Sequence, residues 1–237
     1  MAGKGGLERS HASSRPQTVV FWALHCAIIL LCTWLVLGGG IDRLAGWFDL
    51  TPGLVDPMRA QILLACAVVY VLRHGITLFY LLNRRVDWGE ALGLTAFFAL
   101  FEVGLILVGS GIFRQAPIAI SGLDIFALFL YLAGSFVNTA SEIQRKLWKQ
   151  NSSNKGHCYT GGLFAYSMHI NYFGDFILFT GFAMITHRPG PYIIPLAMTV
   201  NFIFNIIPLL DRYLEKKYGD EFRDYSRKTK KLIPLIY

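Results

Sequence analysis

Charge is scarce in this sequence: charged residues make up 16% of the chain against 54% hydrophobic. A soluble domain usually carries about 25%, which excludes a water-soluble globule. With a mean hydropathy of +0.46, the chain reads as an integral membrane protein. Cysteine is scarce too, four in 237 residues. Cys26, Cys32 and Cys66 fall within apolar runs, Cys158 lies in a loop, and no CxxC pair occurs, so neither a disulfide framework nor a zinc site is expected. The six histidines are scattered without HxxxH or HExxH spacing, so no metal is expected. There is no internal repeat. The first apolar run, about 20 residues long, is too long for a signal-peptide core and right for a span. The Met-Ala start lacks the glycine of a myristoylation signal. The net charge of +7 sits at membrane-flanking positions, where basic residues set topology and meet anionic lipid. It implies no nucleic-acid partner.

What is present is a series of apolar runs. Crossing the hydrocarbon takes about 20 apolar residues as a helix, and the runs at 18–37, 61–82, 90–110, 118–139, 173–186 and 192–210 predict six such helices, or seven if the short fifth is split. The expected fold is all-α, a polytopic membrane bundle, and the length suits one compact bundle. Residues 1–17, polar and rich in serine and glycine, read as a disordered arm. Residues 18–139 form an N-terminal membrane half and 140–237 a C-terminal half with a charged tail at 211–237. Lysine and arginine alternate between loops: Lys4, Arg9 and Arg15; Arg84 and Arg85; Arg145, Lys146, Lys149 and Lys155; and eight in the tail, all on one side. On the other side, the loop after the first span has Arg43 and Arg59 against three aspartates, and the loops after the third and fifth have only Arg114 and Arg188. The positive-inside rule then puts both termini in the cytoplasm, in a bacterial inner membrane or the endoplasmic reticulum.

Polar groups inside spans are costly and mark either pairing or a wet cavity. Arg73, His74 and Glu102 are such groups. Glu102 is the expected partner of Arg73 if the second and third spans pack antiparallel, and both are candidates for a cavity on the lipid side. His25 reads as a packing histidine. Asp124, near the start of its span, reads as a side chain that snorkels to the interface. Asn201 and Asn205 share a helix face.

Two stretches concentrate chemistry at the cytoplasmic face. KGHCYTGGLFAYSMHINYFGD, residues 155–175, packs a lysine, two histidines, three tyrosines, an asparagine and an aspartate ahead of an apolar run. As a bare pattern it is either a functional site or an interfacial tyrosine belt. The tail DRYLEKKYGDEFRDYSRKTKKLIPLIY, from 211, reads as a helix leaving the membrane, a stop at Gly219 and a further short helical turn. Its mixture of tyrosines and cations suits a nucleotide, with aromatic rings to pack on adenine and basic groups for phosphate.

These residues carry a resemblance. GLFAYSMHINYFGD at 162–175, then 35 residues, then Asp211, KKYG at 216–219, Tyr225 and the closing LIPLIY at 232–237 resemble the catalytic C-terminal half of a membrane superfamily. It includes sterol reductases, steroid 5α-reductases, DUF1295 proteins and isoprenylcysteine carboxyl methyltransferases. The resemblance covers about residues 138–237, with Gln144 and Trp148 matching a segment before the glycine-rich turn. It implies an enzyme that holds NADPH near the cytoplasmic end and reduces a carbon–carbon double bond of a steroid- or sterol-like lipid. S-adenosylmethionine and methyl transfer are the alternative, and a non-catalytic lipid-binding relative the second alternative. Asn171-Tyr172-Phe173-Gly174-Asp175 and the terminal Ile233-Pro234-Leu235-Ile236-Tyr237 are similar to the reductase patterns. The basic face also suits a phosphate-bearing cofactor. By resemblance, Lys155, His169, Asn171, Tyr172, Asp175, Asp211, Tyr218 and Tyr225 are expected to bind the cofactor, with Tyr172 and Glu102 as catalytic groups. Two departures stand out. The family's arginine before the histidine is Met168 here, which leaves Lys155, Arg145 or Arg212 to supply its charge. The tail's usual glutamate is Asp211, one methylene shorter.

Overall fold

A computed structural model of the chain describes residues 14–48, 56–114, 116 and 118–237. Most of the expected N-terminal arm, residues 1–13, lies outside them. Among the described residues the fold is all-helical, without a strand. The helices are α1 (Arg15–Leu37), α2 (Gly40–Trp47), α3 (Pro57–Ile76), α4 (Trp88–Gly109), α5 (Gly122–Gln150), α6 (Ile170–Ile185), α7 (Ile193–Asn201), α8 (Ile207–Tyr218) and α9 (Asp220–Lys228). One π-helical turn, Thr77–Leu81, prolongs α3, and another, Phe202–Ile206, joins α7 to α8. The second lets a single apolar rod, Gly190–Tyr218, run through Pro208 without leaving a helical path.

Among the described residues, five helices are long and apolar enough to cross a membrane: Arg15–Leu37, Pro57–Leu81, Trp88–Gly109, Gly122–Gln150 and Gly190–Tyr218. At 1.5 Å per residue, a 23-residue helix such as α1 reaches about 34 Å, enough for the roughly 30 Å hydrocarbon core. The run expected as a fifth span is α6. It starts at Ile170, three residues before the expected start, and its 16 residues reach about 24 Å, short of a full crossing. The protein is thus a polytopic membrane bundle in which one of the six apolar helices is short. Leu30, Leu100, Phe129, Phe136 and Phe204 are each more than 60% exposed, side chains that lipid would cover at no cost.

Helix starts follow local chemistry. Asp56 caps α3, accepting from the Arg59 amide at 3.0 Å, with Pro57 at the first turn. Asp87 caps α4 through the Glu90 amide at 2.8 Å, with Glu90 in the first turn, where the helix dipole favours an acid.

The chain resolves into two compact units: Met1–Leu128 with Phe182–Pro191, and Phe129–Gly181 with Tyr192–Tyr237. In the first, α1, α3 and α4 pack together with alternating direction. At one end the Val86 amide donates to Ser14 Oγ at 3.0 Å, and at the other the Asp56 amide donates to the Ser110 carbonyl at 2.6 Å. The latter end is closed by a buried ionic clamp. Arg59, fully buried, donates through Nε to Asp56 at 3.0 Å, through Nη1 to the Asp124 carboxylate and, at 2.9 Å, to the Ile185 carbonyl, and through Nη2 to the Ile118 carbonyl at 3.2 Å. His187 Nε2 meets Asp124 at 2.8 Å. Asp124 is 1% exposed, so it does not snorkel as expected; a fully buried guanidinium fixes it in place. In the second unit, α5 and α6 approach closely at two glycines. A Cβ on Gly174 would lie 2.6 Å from the Asn138 backbone nitrogen, and one on Gly134 would collide with the Leu178 backbone. The Asn138 side chain bridges the same pair, donating to the Asn171 carbonyl at 3.0 Å, as small residues and amides do between membrane helices.

Candidate functional site

The second unit brings the 155–175 loop and the tail into one interlocked structure. The loop is held first by α5. Gly162 adopts φ +57°, and a Cβ there would lie 2.6 Å from the Tyr159 hydroxyl, so both the turn and the space demand glycine. Gln144 Oε1 accepts from the Leu163 amide at 3.0 Å, and Trp148 packs on Tyr159 at 5.2 Å between ring centroids. The tail then runs alongside. The Met168 amide donates to the Lys230 carbonyl at 2.8 Å and the His169 amide to the Lys231 carbonyl at 2.9 Å. Ser167 Oγ donates to the Leu232 carbonyl at 2.8 Å. Two backbone bonds and one serine side chain thus hold the loop and the tail side by side.

His169, 1% exposed, directs Nε2 to Asp211 Oδ1 at 2.8 Å. The other carboxylate oxygen takes Lys231 at 3.2 Å. Asp211 therefore fixes a histidine and a lysine at once. The His169 ring stacks on Tyr172 (5.8 Å), which stacks on Phe202 (4.6 Å). Below the tail, Phe222 and Tyr225 of α9 are buried with Cys158 and Met168, with Leu214 and Tyr218 packed against them. The Tyr225 hydroxyl donates to the Phe164 carbonyl at 2.5 Å, and burial raises its ionisation above the usual tyrosine range. Burial, with Glu221 nearby, pushes the Cys158 thiol up to about 11. The methionine that replaces the family's arginine is thus a core residue here.

Between these elements lies a cavity of about 40 Å³ whose lining includes Arg145, Lys149, His169, Asn171, Tyr218 and Tyr225. Its rim is cationic. Arg145 pairs with Glu142 and stands 5.5 Å over the Phe164 ring. Lys149 lies 3.3 Å from the Tyr218 hydroxyl, and Lys217 lies 5.2 Å from the Tyr218 ring centroid. Of the eight residues expected to bind a cofactor, His169, Asn171, Tyr218 and Tyr225 line this cavity, and Asp211 stands directly behind His169. Tyr172 is reached through the His169 stack. Asp175 lies one helical turn beyond Asn171 on α6. Lys155 is exposed and does not line the cavity; Arg145 and Lys149 provide the positive charge there. Sequence reasoning missed Lys149, Cys158 and Ser167. The spacing of Arg145 and Lys149, four apart and so on one face of α5, was the signal that could have found the first.

Glu102, the other expected catalytic group, belongs to the first unit. It is fully buried and meets His25 Nε2 at 3.1 Å. His25, expected to be a packing residue, meets His74 as well, Nδ1 to Nδ1, at 2.7 Å. Asn201 and Asn205 bond to each other at 3.0 Å on an exposed face. Among the described residues, no group of three or more His, Cys, Asp or Glu is placed to hold a metal ion.

A multi-pass helical membrane protein whose C-terminal part locks the segment leading into α6, which opens with N-Y-x-G-D, onto a tyrosine- and lysine-rich tail is the class defined by this geometry. The chain belongs to the family described as "Protein of unknown function (DUF1295)", whose profile matches residues 58–229. It is 33% identical over 112 residues, 46% of this chain and 37% of the relative, to "Probable O-methyltransferase ustE" of Ustilaginoidea virens. It is 26% identical over 112 residues, 47% of this chain and 42% of the relative, to 3-oxo-5-alpha-steroid 4-dehydrogenase 2 of Rattus norvegicus. The matched region spans less than half the length of either relative.

Proposed function

We propose that this protein is a membrane-embedded NADPH-dependent reductase of a carbon–carbon double bond in a steroid- or sterol-like lipid. The cofactor would bind where the 155–175 loop meets the tail. The observation that carries this reading is the cavity itself: a buried histidine held by Asp211, an asparagine beside it, and Arg145, Lys149 and Tyr218 in its lining, with Lys217 against the Tyr218 ring. Guanidinium and ammonium groups suit the phosphates of a dinucleotide, and tyrosine faces suit adenine. In this reading His169, Asn171, Tyr172 and Asp175 hold the nicotinamide–ribose and pyrophosphate part. Tyr218, Tyr225 and the neighbouring cations hold the adenosine end, with exposed Lys155 a peripheral contact. NADPH supplies the hydride when bound; Tyr172 and Glu102 are the candidate proton donors. A 40 Å³ space holds no more than a few waters. Binding therefore requires the side chains that line the cavity to move apart. The basic loops support a cytoplasmic site with both termini on that side, in a bacterial inner membrane or the endoplasmic reticulum.

A second reading, S-adenosylmethionine-dependent methyl transfer, is favoured by the relative whose name describes an O-methyltransferase and by a buried Met168 where an arginine would meet phosphate. Thermal denaturation of the purified protein with each ligand separates the two. NADPH at 100 times its dissociation constant should stabilise by about 2.7 kcal/mol, and Asn171→Ala should weaken that effect. Stabilisation by S-adenosylmethionine and not by NADPH would replace the first reading with the second.

A further inference from the structure

Three buried polar side chains of the first unit, apart from the clamp around Arg59, are not explained by a cofactor site. His74, His25 and Glu102 come from α3, α1 and α4 and form one hydrogen-bonded row: His74 Nδ1 to His25 Nδ1 at 2.7 Å, then His25 Nε2 to Glu102 Oε1 at 3.1 Å. Aromatic rings enclose it: Phe21 against His74 at 4.5 Å, Phe98 against His25 at 4.6 Å, and Tyr70 against His25 at 5.6 Å. At the inner end, Glu102 Oε2 is buried with no hydrogen-bond partner among the described residues. The charged and titratable neighbours facing the row are Arg73 and Tyr70 from α3 and Cys32 from α1.

Proton counting constrains this row. Two ring nitrogens 2.7 Å apart must share one proton: two would repel as facing donors, and none would leave two lone pairs opposed. The contact with Glu102 likewise holds one. A proton added at His74 Nε2 therefore forces the Nδ1 proton onto His25, and the His25 Nε2 proton onto Glu102 Oε1. The hydrogen bonds survive with reversed polarity. At His74 an Nε2–H bond forms as Nδ1–H breaks, at His25 an Nδ1–H bond forms as Nε2–H breaks, and at Glu102 one O–H bond forms, so the one proton taken up ends on the carboxyl and both rings stay neutral. The row is also directional. Measured from the Ser14–Val86 end at 1.5 Å per residue, His74, His25 and Glu102 lie about 10, 15 and 21 Å deep. His74 keeps 9% of its surface exposed, while the other two are at 0%.

We propose that His74, His25 and Glu102 form a one-proton relay that loads the Glu102 carboxyl from the Ser14–Val86 end of the α1–α3–α4 bundle. The proton arrives on Oε1, and a half-turn of the carboxyl about Cγ–Cδ exchanges the two oxygens, so that it is delivered to a lipophilic acceptor from the side that has no hydrogen-bond partner among the described residues. The proposal stands on this row alone and does not require NADPH or S-adenosylmethionine.

The test uses the full-length protein in lipid nanodiscs and infrared spectroscopy of the carboxyl region during transfer to D₂O. The wild type should show a protonated-carboxyl carbonyl band that Glu102→Gln lacks. In His74→Gln, which keeps a hydrogen-bonding group beside His25 but cannot pass a proton through it, deuteration of that band should slow by about a hundredfold, with the melting temperature preserved. Identical carboxyl bands in the wild type and Glu102→Gln, or wild-type deuteration in His74→Gln, would overturn the relay. Nitrogen-15 spectra of the unsubstituted protein provide a check that needs no variant. One of the two facing Nδ1 atoms should be protonated and the other bare; two alike would refute the arrangement.

Discussion

Replacing Asp211 by alanine should remove more stability than the lysine it pairs with could account for. Asp211 accepts from His169 at 2.8 Å and from Lys231 at 3.2 Å. The histidine is 1% exposed, so its ring nitrogen has no water to turn to. A hydrogen bond to a charged group contributes about 1.5–3 kcal/mol, and a buried donor left unsatisfied loses a comparable amount. The lysine is about half exposed, and an exposed ion pair contributes about 0–1 kcal/mol. Asp211→Ala should therefore destabilise by about 2–3 kcal/mol, and Lys231→Met by less than about 1 kcal/mol. The backbone bonds from Met168 and His169 to Lys230 and Lys231 remain in both variants, so the tail stays docked and the difference isolates the carboxylate–imidazole contact. Unfolding titrations with dodecyl sulfate in mixed micelles would measure both. Equal losses, or a neutral Asp211→Ala, would show that the buried histidine does not depend on this carboxylate.

Other outcomes follow from the packing. Arg59→Met should destabilise by about 3–5 kcal/mol in the same titration, because it leaves Asp124 with a buried charge and no guanidinium; a loss under about 1 kcal/mol would contradict the clamp. Gly134→Ala should cost about 1–3 kcal/mol or more, since the added carbon meets the backbone of Leu178 and Gly174, which cannot yield as a side chain would. Gly93→Ala, where nothing lies within 4 Å, should be neutral or stabilise by up to about 1 kcal/mol; equal effects at the two glycines would refute the close approach. Cys158, 6% exposed and with its thiol pushed up to about 11, should resist maleimide at pH 8 and become reactive in Phe222→Ala. The folded value lies above the ordinary thiol value of about 8.5. The protonated thiol's contribution is therefore complete below that pH and is lost as pH rises through about 11. Labelling of the native protein at the rate of a free thiol would contradict the buried site.

Periodicity and length made the helices legible, because a run of apolar residues declares a span without reference to any partner. The loop–tail pairing was legible for a different reason: two motifs a fixed distance apart pointed to one place. Pairing inside the bundle was not. His25 looked like a packing histidine because its partners, His74 and Glu102, lie 49 and 77 residues away, and no local pattern announces them. Asp124 looked like an interfacial acid because its guanidinium comes from Arg59, 65 residues earlier, in a position that reads as a loop charge. Gly134 and Gly174 resemble any helical glycine until the two helices are brought together. Lys155 drew attention as the cation nearest the motif, yet the cavity takes its charge from α5, where Arg145 and Lys149 border it.

Hydrogen–deuterium exchange of the full-length protein with and without saturating NADPH tests the central claim most directly. The cofactor should protect peptides from 155–175 and from 211–232 together, and protect them less in Asn171→Ala. Protection of neither segment, or of only one of them, would contradict a cofactor site built jointly by the loop and the tail.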